Sequence, residues 1–235
     1  APRNLNEEIH PMTWILHLET STKVCSVALS YNGELKQLHE IKDDQYSHGE
    51  QLTLLIDKAL KGAGILPQQL GAVSVASGPG SYTGLRIGVS TAKGLCYALE
   101  IPLIAVDSLT ALAKLGHDKH PGKRLCPMID ARRMEVYSTI YNENHQVIKS
   151  LSADVLNEHS YSEMEPFVFF GDGAGKMASA WESRPLQFDE DLYCSAAGQV
   201  QMALEKLRNG EIEDVAYFEP YYLKEFYTTA KKLSD

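Results

Sequence analysis

The sequence predicts an α/β fold in which one strand-rich unit is built twice. Three observations carry this. Short apolar or alternating runs are interleaved with stretches of helical period. Two of those runs end in an acid, Glu19 and Asp130, and each acid is followed by four turn residues and a second strand, starting at Val24 and at Glu135. The spacing from Glu19 to Asp130 and from Val24 to Glu135 is 111 residues in both cases, and the hairpin regions Asn32-Gly33 and 142–145 keep the same offset. A fixed offset between like elements is the mark of an internal duplication.

The elements follow in order. TWILHLE (13–19) and VCSVALSY (24–31) read as strands, the second alternating Cys25, Val27, Leu29 and Tyr31 with smaller residues. Asn32-Gly33 is a strong hairpin signal because both central positions of the turn need positive φ. A third strand, 34–41, completes a meander. Ser47-His48-Gly49-Glu50 reads as a capping box, and the helix behind it places Leu52, Leu55, Ile56, Ala59, Leu60 and Ala63 on one face. AVSVAS (72–77) is a buried-type strand, followed by a glycine-rich turn, a helix over 83–99 and the strand IPLIAV (101–106). In the second half the strands are Pro127-Met128-Ile129-Asp130, the run from Glu135, QVIKSLSADV (146–155) and FVFF (167–170). A helical stretch is expected between the last two. Gly171-Asp172-Gly173-Ala174-Gly175 is expected to lead into another helix, as Gly78-Pro79-Gly80 does in the first half.

Composition narrows the function. The 235 residues are 44% hydrophobic and 23% charged, ordinary for a globular chain, which excludes disordered and fibrous readings. Lys and Arg total 22 against 31 Asp and Glu, a net charge of −9, and a stand-alone nucleic-acid binder needs the opposite balance. A direct nucleic-acid contact would have to rest on Lys224, Lys231 and Lys232, a short basic tail. No run approaches the roughly 18 apolar residues of a membrane span. Cys25, Cys96, Cys126 and Cys194 contain no C-x-x-C pair, so a reduced, cytoplasmic protein is expected. Residues 1–11 have no secretory h-region and read as a leader or cloning remnant ahead of Met12.

Few residues carry a chemical signature. Gly78-Pro-Gly-Ser-Tyr-Thr-Gly84 lies between a strand and a helix, where backbone N–H groups can hold an anion. Its spacing fits neither G-x-G-x-x-G nor a Walker A loop, so a tight turn with close helix packing stays open beside phosphate binding. The helix behind it repeats Leu85, Gly88, Ala92 and Leu95 at intervals of three and four, and is apolar over most of its circumference. Gly84, Gly88 and Ala92 form a small-residue ridge that suits either core packing or a subunit interface. Glu19 and Asp130 end strands at matching points, where carboxylates can hold Mg²⁺ or water. With Thr20, Ser21, Gly171 and Gly173 they make a vestigial phosphate site conceivable. His117 and His120 stand in what reads as a surface loop.

The motifs LETSTKVCSVAL (18–29), SGPGSYTGLRIGVSTAKGL (77–95), IDARRMEVY (129–137) and EPYYLKE (219–225) together carry a resemblance. Over 12–235 the chain resembles the TsaB family of bacterial tRNA threonylcarbamoyladenosine biosynthesis proteins. The resemblance implies duplicated ribonuclease-H-like lobes of the actin, sugar-kinase and chaperone-ATPase type, with 12–107 as the N-terminal lobe and 108–235 as the C-terminal lobe. It implies a non-catalytic scaffold for the paralogous transferase TsaD. The partners would be TsaD in a heterodimer, the TsaE ATPase within the complex, and a second copy of the chain when alone. ATP or ADP would enter only in the assembled complex, and any tRNA contact would be indirect. TsaD-like enzymes carry a V-H-H-M-E-x-H metal-binding segment after the strand that matches 104–106. Here the two metal-binding histidines fall on Ser108 and Leu112, and leucine cannot ligate a metal. No catalytic residue and no metal ligand is therefore expected. The partner-binding face is expected on Leu52, Leu55, Ile56, Gly84, Leu85, Gly88, Ala92 and Leu95. The competing reading is a small-molecule kinase or ATPase using Glu19, Asp130 and the Gly171–Gly175 loop.

Overall fold

The computed structural model describes residues 12–42 and 48–224. Ser47, the leader 1–11 and Lys231-Lys232 lie outside the described residues, so the capping box and the basic tail have no structural account. The first sheet contains β1 (Trp14–Glu19), β2 (Val24–Tyr31), β3 (Glu34–Lys42), β4 (Leu70–Ala76) and β5 (Leu103–Val106), in the order β3-β2-β1-β4-β5. The second contains β6 (Leu125–Asp130), β7 (Glu135–Tyr141), β8 (Val147–Val155), β9 (Val168–Phe170) and β10 (Gln187–Asp189), in the order β10-β9-β6-β7-β8. Read from the opposite edge, the orders are the same. The directions match as well: the meander pairs are antiparallel, and β1–β4, β4–β5, β6–β9 and β9–β10 are parallel. The fold is thus α/β and duplicated. The hairpin turn at Asn32 and Gly33 has φ of 51° and 80°, the left-handed pair that the Asn-Gly sequence supplies cheaply.

Two helices cover one face of the first sheet: α1 (His48–Ala63) and α2 (Tyr82–Leu99). Leu16, Leu18, Val27, Leu29, Val73 and Val75 point at them and form one core with Leu52, Leu55, Val89 and Ala92. Ser81 caps α2 by accepting a hydrogen bond from the Gly84 N–H at 3.3 Å. The second lobe departs from the expected pattern. The helical stretch expected before β9 is a 3-10 turn at Ser162–Met164, and the loop 171–175 leads into another, Ala174–Met177, rather than into an α-helix. Large rings fill the space instead. Trp181 is buried with Phe167, Phe169 and Tyr161, and its Nε1 donates to the Asn157 carbonyl at 3.0 Å.

Two further helices, α3 (Ser108–Lys119) and α4 (Val200–Arg208), cross between the lobes. Asp107 caps α3, accepting from the Thr110 N–H at 2.7 Å. Although α3 follows the first sheet, Leu109 and Leu112 pack with Leu125, Ile129 and Phe170 of the second. Conversely, α4 follows the second sheet and packs Ala203, Leu204 and Leu207 on Ile15, Ala72 and Ile104 of the first. The tail of the expected lobe 108–235 therefore returns to the first sheet. A buried polar chain fastens it there. Ser74 Oγ donates to Gln199 Oε1 at 2.7 Å, and Gln199 Nε2 donates to the Leu18 carbonyl at 2.9 Å. With its proton committed to Gln199, Ser74 accepts from His17 Nδ1 at 2.6 Å, which leaves His17 Nε2 to accept from Ser30 at 2.7 Å. His17 is thus a neutral core imidazole.

Candidate functional site

The ends of β1 and β6 face each other across a cleft between the lobes. A cavity of about 230 Å³ lies there, lined among others by Ser21, Thr22, Ser81, Asp130, Arg132 and Asp172. Of the residues singled out for phosphate, Ser21 and Asp130 line this cavity; Glu19, Thr20, Gly171 and Gly173 stand behind it. Thr22, Arg132 and Asp172 join it from neighbouring turns. Asp172 was legible only as a member of the glycine loop, since its approach to Asp130 spans 42 residues.

On the first-lobe side the β1–β2 turn is held by its own helix. Thr20 Oγ1 donates to the Gly84 carbonyl at 2.7 Å, and the Ser81 N–H donates to the Ser21 carbonyl at 2.6 Å. The approach is too close for side chains: a Cβ would stand 2.0 Å from the Thr20 carbonyl at Gly84 and 2.3 Å from Thr20 Oγ1 at Gly88. The glycine-rich stretch therefore serves close helix packing, one of the two readings its sequence left open. Glu19 is fully buried and accepts from the Ser21 N–H at 2.7 Å. Burial pushes its carboxyl up to about 7, against the opposing hydrogen bonds from Ser21.

The second-lobe side is charged. Asp130 accepts from Lys176 Nζ and from its neighbour Arg132 N–H, both at 2.6 Å. Asp172 accepts from the Asp130 N–H at 3.0 Å, and burial raises its carboxyl to about 6. Both strand-end acids are thus engaged by the chain itself, Glu19 by a turn amide and Asp130 by a lysine.

The residues expected to bind a partner have a different place. Leu52, Leu55, Ile56, Gly84, Leu85, Gly88 and Ala92 are all buried inside the first lobe, and Leu95 is half-buried. The small-residue ridge of α2 presses on Thr20 and Val75 of the same lobe. The residues that the two helices turn outward include Thr53, Leu54, Asp57, Lys58 and Lys61 on α1, and Arg86, Ser90, Gly94, Tyr97 and Ala98 on α2. Leu54 is 59% exposed and Tyr97 82%. The histidine pair also departs from expectation. His117 lies on α3 and stacks on His145 with ring centroids 3.4 Å apart. His120 is nearly buried and meets Asp189 at 2.6 Å. Ser108 and Leu112 sit one turn apart on α3, both fully buried. The four cysteines are buried and free.

Comparison with known proteins places this geometry. The family model for TsaD, described as tRNA N6-adenosine threonylcarbamoyltransferase, matches residues 42–219. The chain is 38% identical over 123 residues to the tRNA threonylcarbamoyladenosine biosynthesis protein TsaB of Haemophilus influenzae, a match spanning 52% of this chain and about half (51%) of that protein. It is 27% identical over 226 residues to the protein of the same name from Escherichia coli, covering 89% of this chain and 94% of that one. Among solved structures, YeaZ from Pseudomonas aeruginosa superposes with a TM-score of 0.75 at 28% identity, covering 90% of this chain and all of the other. The activator of 2-hydroxyisocaproyl-CoA dehydratase from Clostridium difficile, at 8% identity and a TM-score of 0.50, shares the fold alone. With the family model spanning well over half of its residues, the chain belongs to the TsaD family.

Proposed function

We propose that this chain acts in the formation of threonylcarbamoyladenosine on tRNA, as a non-catalytic partner of a TsaD-type transferase in the cytoplasm. The observation that carries the reading is the near full-length match to a protein named for that biosynthesis. The structure supports the non-catalytic half. The α3 positions on which the resemblance puts the metal-binding histidines hold Ser108 and Leu112, sealed in the core, and neither gives a metal a useful ligand. Of the strand-end acids that a kinase would use, Glu19 is fully buried with one oxygen on the Ser21 amide, and Asp130 pairs with Lys176.

In this reading the chain works by presenting a rigid surface. The outward faces of α1 and α2 would dock the transferase, and a second copy of the chain when the transferase is missing, so that homodimer and heterodimer exclude each other. Leu54 and Tyr97 offer apolar area there, while Ser90, Gly94 and Ala98 let a partner helix approach closely. ATP or ADP and the TsaE ATPase would join the assembled complex, and tRNA would be held by the partner rather than by a chain of net charge −9.

Reconstitution tests this. A TsaD-type enzyme, tRNA and the threonylcarbamoyl donor are combined with and without the chain, and the modified nucleoside is measured by mass spectrometry. Product should require both proteins. Product from this chain alone, or undiminished product without it, would overturn the reading. Titration with Mg-ATP tests the kinase alternative, since turnover by the isolated chain would favour it.

A further inference from the structure

The cleft has a wall that comes from neither sheet nor its covering helices. Residues 219–224 run across its mouth and hold both sides. At the first lobe the Tyr221 N–H donates to the Ser77 carbonyl at 2.7 Å. The fit there admits no side chain, because a Cβ at Gly78 would stand 2.4 Å from the Tyr221 carbonyl, and Gly78 has φ of 112°. Tyr222 lies beside Tyr82 with ring centroids 4.8 Å apart and accepts from Arg86 Nε at 3.3 Å. Just upstream, Lys93 of α2 donates to the carbonyls of Ala216 and Phe218 at 3.1 and 3.0 Å. At the second lobe Leu223 packs against the core that contains Leu109, Ile129 and Tyr137, and Lys224 pairs with Glu135 at the start of β7.

We propose that residues 219–224 are a strap that clamps the two lobes together and closes the cleft. Its first-lobe end is backbone-bonded and packed ring against ring, so it is the firm anchor. Among the described residues, its second-lobe end is one half-buried leucine and one ion pair with an exposed lysine, and exposed pairs contribute little. The second-lobe end is therefore the end that lets go. With the strap in place the cavity holds about 230 Å³, below the roughly 300–1,000 Å³ of sites that take drug-sized ligands. Opening the interlobe space to any larger occupant requires the strap to lift from Glu135. The inference does not depend on the role in tRNA modification, since it rests on contacts within the chain.

Spin labels on Lys36→Cys in β3 and Asn144→Cys beside β8, in the full chain, report the distance between lobes without interference from the buried native cysteines. The strap predicts one narrow distance distribution for the otherwise native chain. Lys224→Glu should shift it to longer distances and broaden it, and adding Glu135→Lys should restore it. Tyr222→Ala, which weakens the opposite end without touching Glu135, should also lengthen it, with circular dichroism confirming that the fold persists. An unchanged distribution in both Lys224→Glu and Tyr222→Ala would overturn the proposal, as would a charge swap that fails to restore the native distance.

Discussion

The two lobes share one sheet topology and cover it in opposite ways. The first lays a 16-residue and an 18-residue helix on its sheet, and brings the second so close that Gly84 and Gly88 are obligatory. The second lobe has 3-10 turns at the corresponding points and fills the gap with Trp181, Phe167 and Phe169, whose rings meet edge to face at 5.2 and 6.0 Å. Coverage by backbone leaves no space for atoms; coverage by side chains depends on every large one. The strand-end acids differ in the same sense. Glu19 is walled in by the helix and held near neutrality, while Asp130 is open enough to pair with Lys176. A duplicated topology thus constrains the sheet and leaves its covering free to diverge.

The sharpest test adds bulk to the first lobe. Gly88→Arg drives a charged side chain into Thr20 and Val75, and should cost on the order of 4 kcal/mol or more through overpacking and an unpaired buried charge. The expected result is loss of the fold by circular dichroism, not a folded monomer. A folded Gly88→Arg protein would break the contrast.

The complementary test removes bulk from the second lobe. Trp181→Ala should destabilise by about 3–5 kcal/mol, because the surrounding rings cannot collapse into the space and the Asn157 carbonyl loses its donor. Denaturant unfolding measures it. A loss under about 1 kcal/mol would mean that the ring cluster is not what fills that lobe.

A smaller effect follows from pH. Glu19 titrates near 7 when folded against 4.5 for the free group, so its contribution is fully present below about pH 4.5 and is lost as pH rises through 7, on the order of 3 kcal/mol. Burial holds His17 down to about 3 against 6.5, so its contribution is present above about pH 6.5 and is lost as pH falls toward 3. The first lobe is therefore squeezed from both sides. Glu19→Gln should flatten the alkaline limb between pH 5 and 8, read from unfolding midpoints at each pH, and leave the acid limb in place. An alkaline limb as steep as the native one would remove Glu19 as its cause.

The smallest effect on stability separates the inner from the outer face of α2. Gly94 has open space around it, so Gly94→Arg should leave stability unchanged or raise it by up to about 1 kcal/mol. If the outer face docks the transferase, the folded variant should nevertheless fail to capture it in a pull-down, and should be monomeric by light scattering. Capture by the Gly94→Arg protein at native strength would move the docking face elsewhere.

What the sequence determined alone was whatever local pattern encodes. The strands of both meanders, the Asn32-Gly33 turn, α2 and the order of elements at a fixed offset were legible because alternation, turn chemistry and apolar runs act over a few residues. The motif stretches carried the family. Which way α2 turns its ridge was not legible, since a helix apolar nearly all round has no single inward face until Thr20, 64 residues away from Gly84, presses on it. The same holds for the exchange of α3 and α4 between lobes, for Gln199 reaching Ser74 across 125 residues, and for Tyr221 lying over Ser77 and Gly78. The second lobe's turns read as helices in the sequence because a glycine loop after a strand has the same local signature in both halves. Only packing decides whether a helix or a cluster of rings completes the layer, because the partners that settle it are close in space and far apart along the chain.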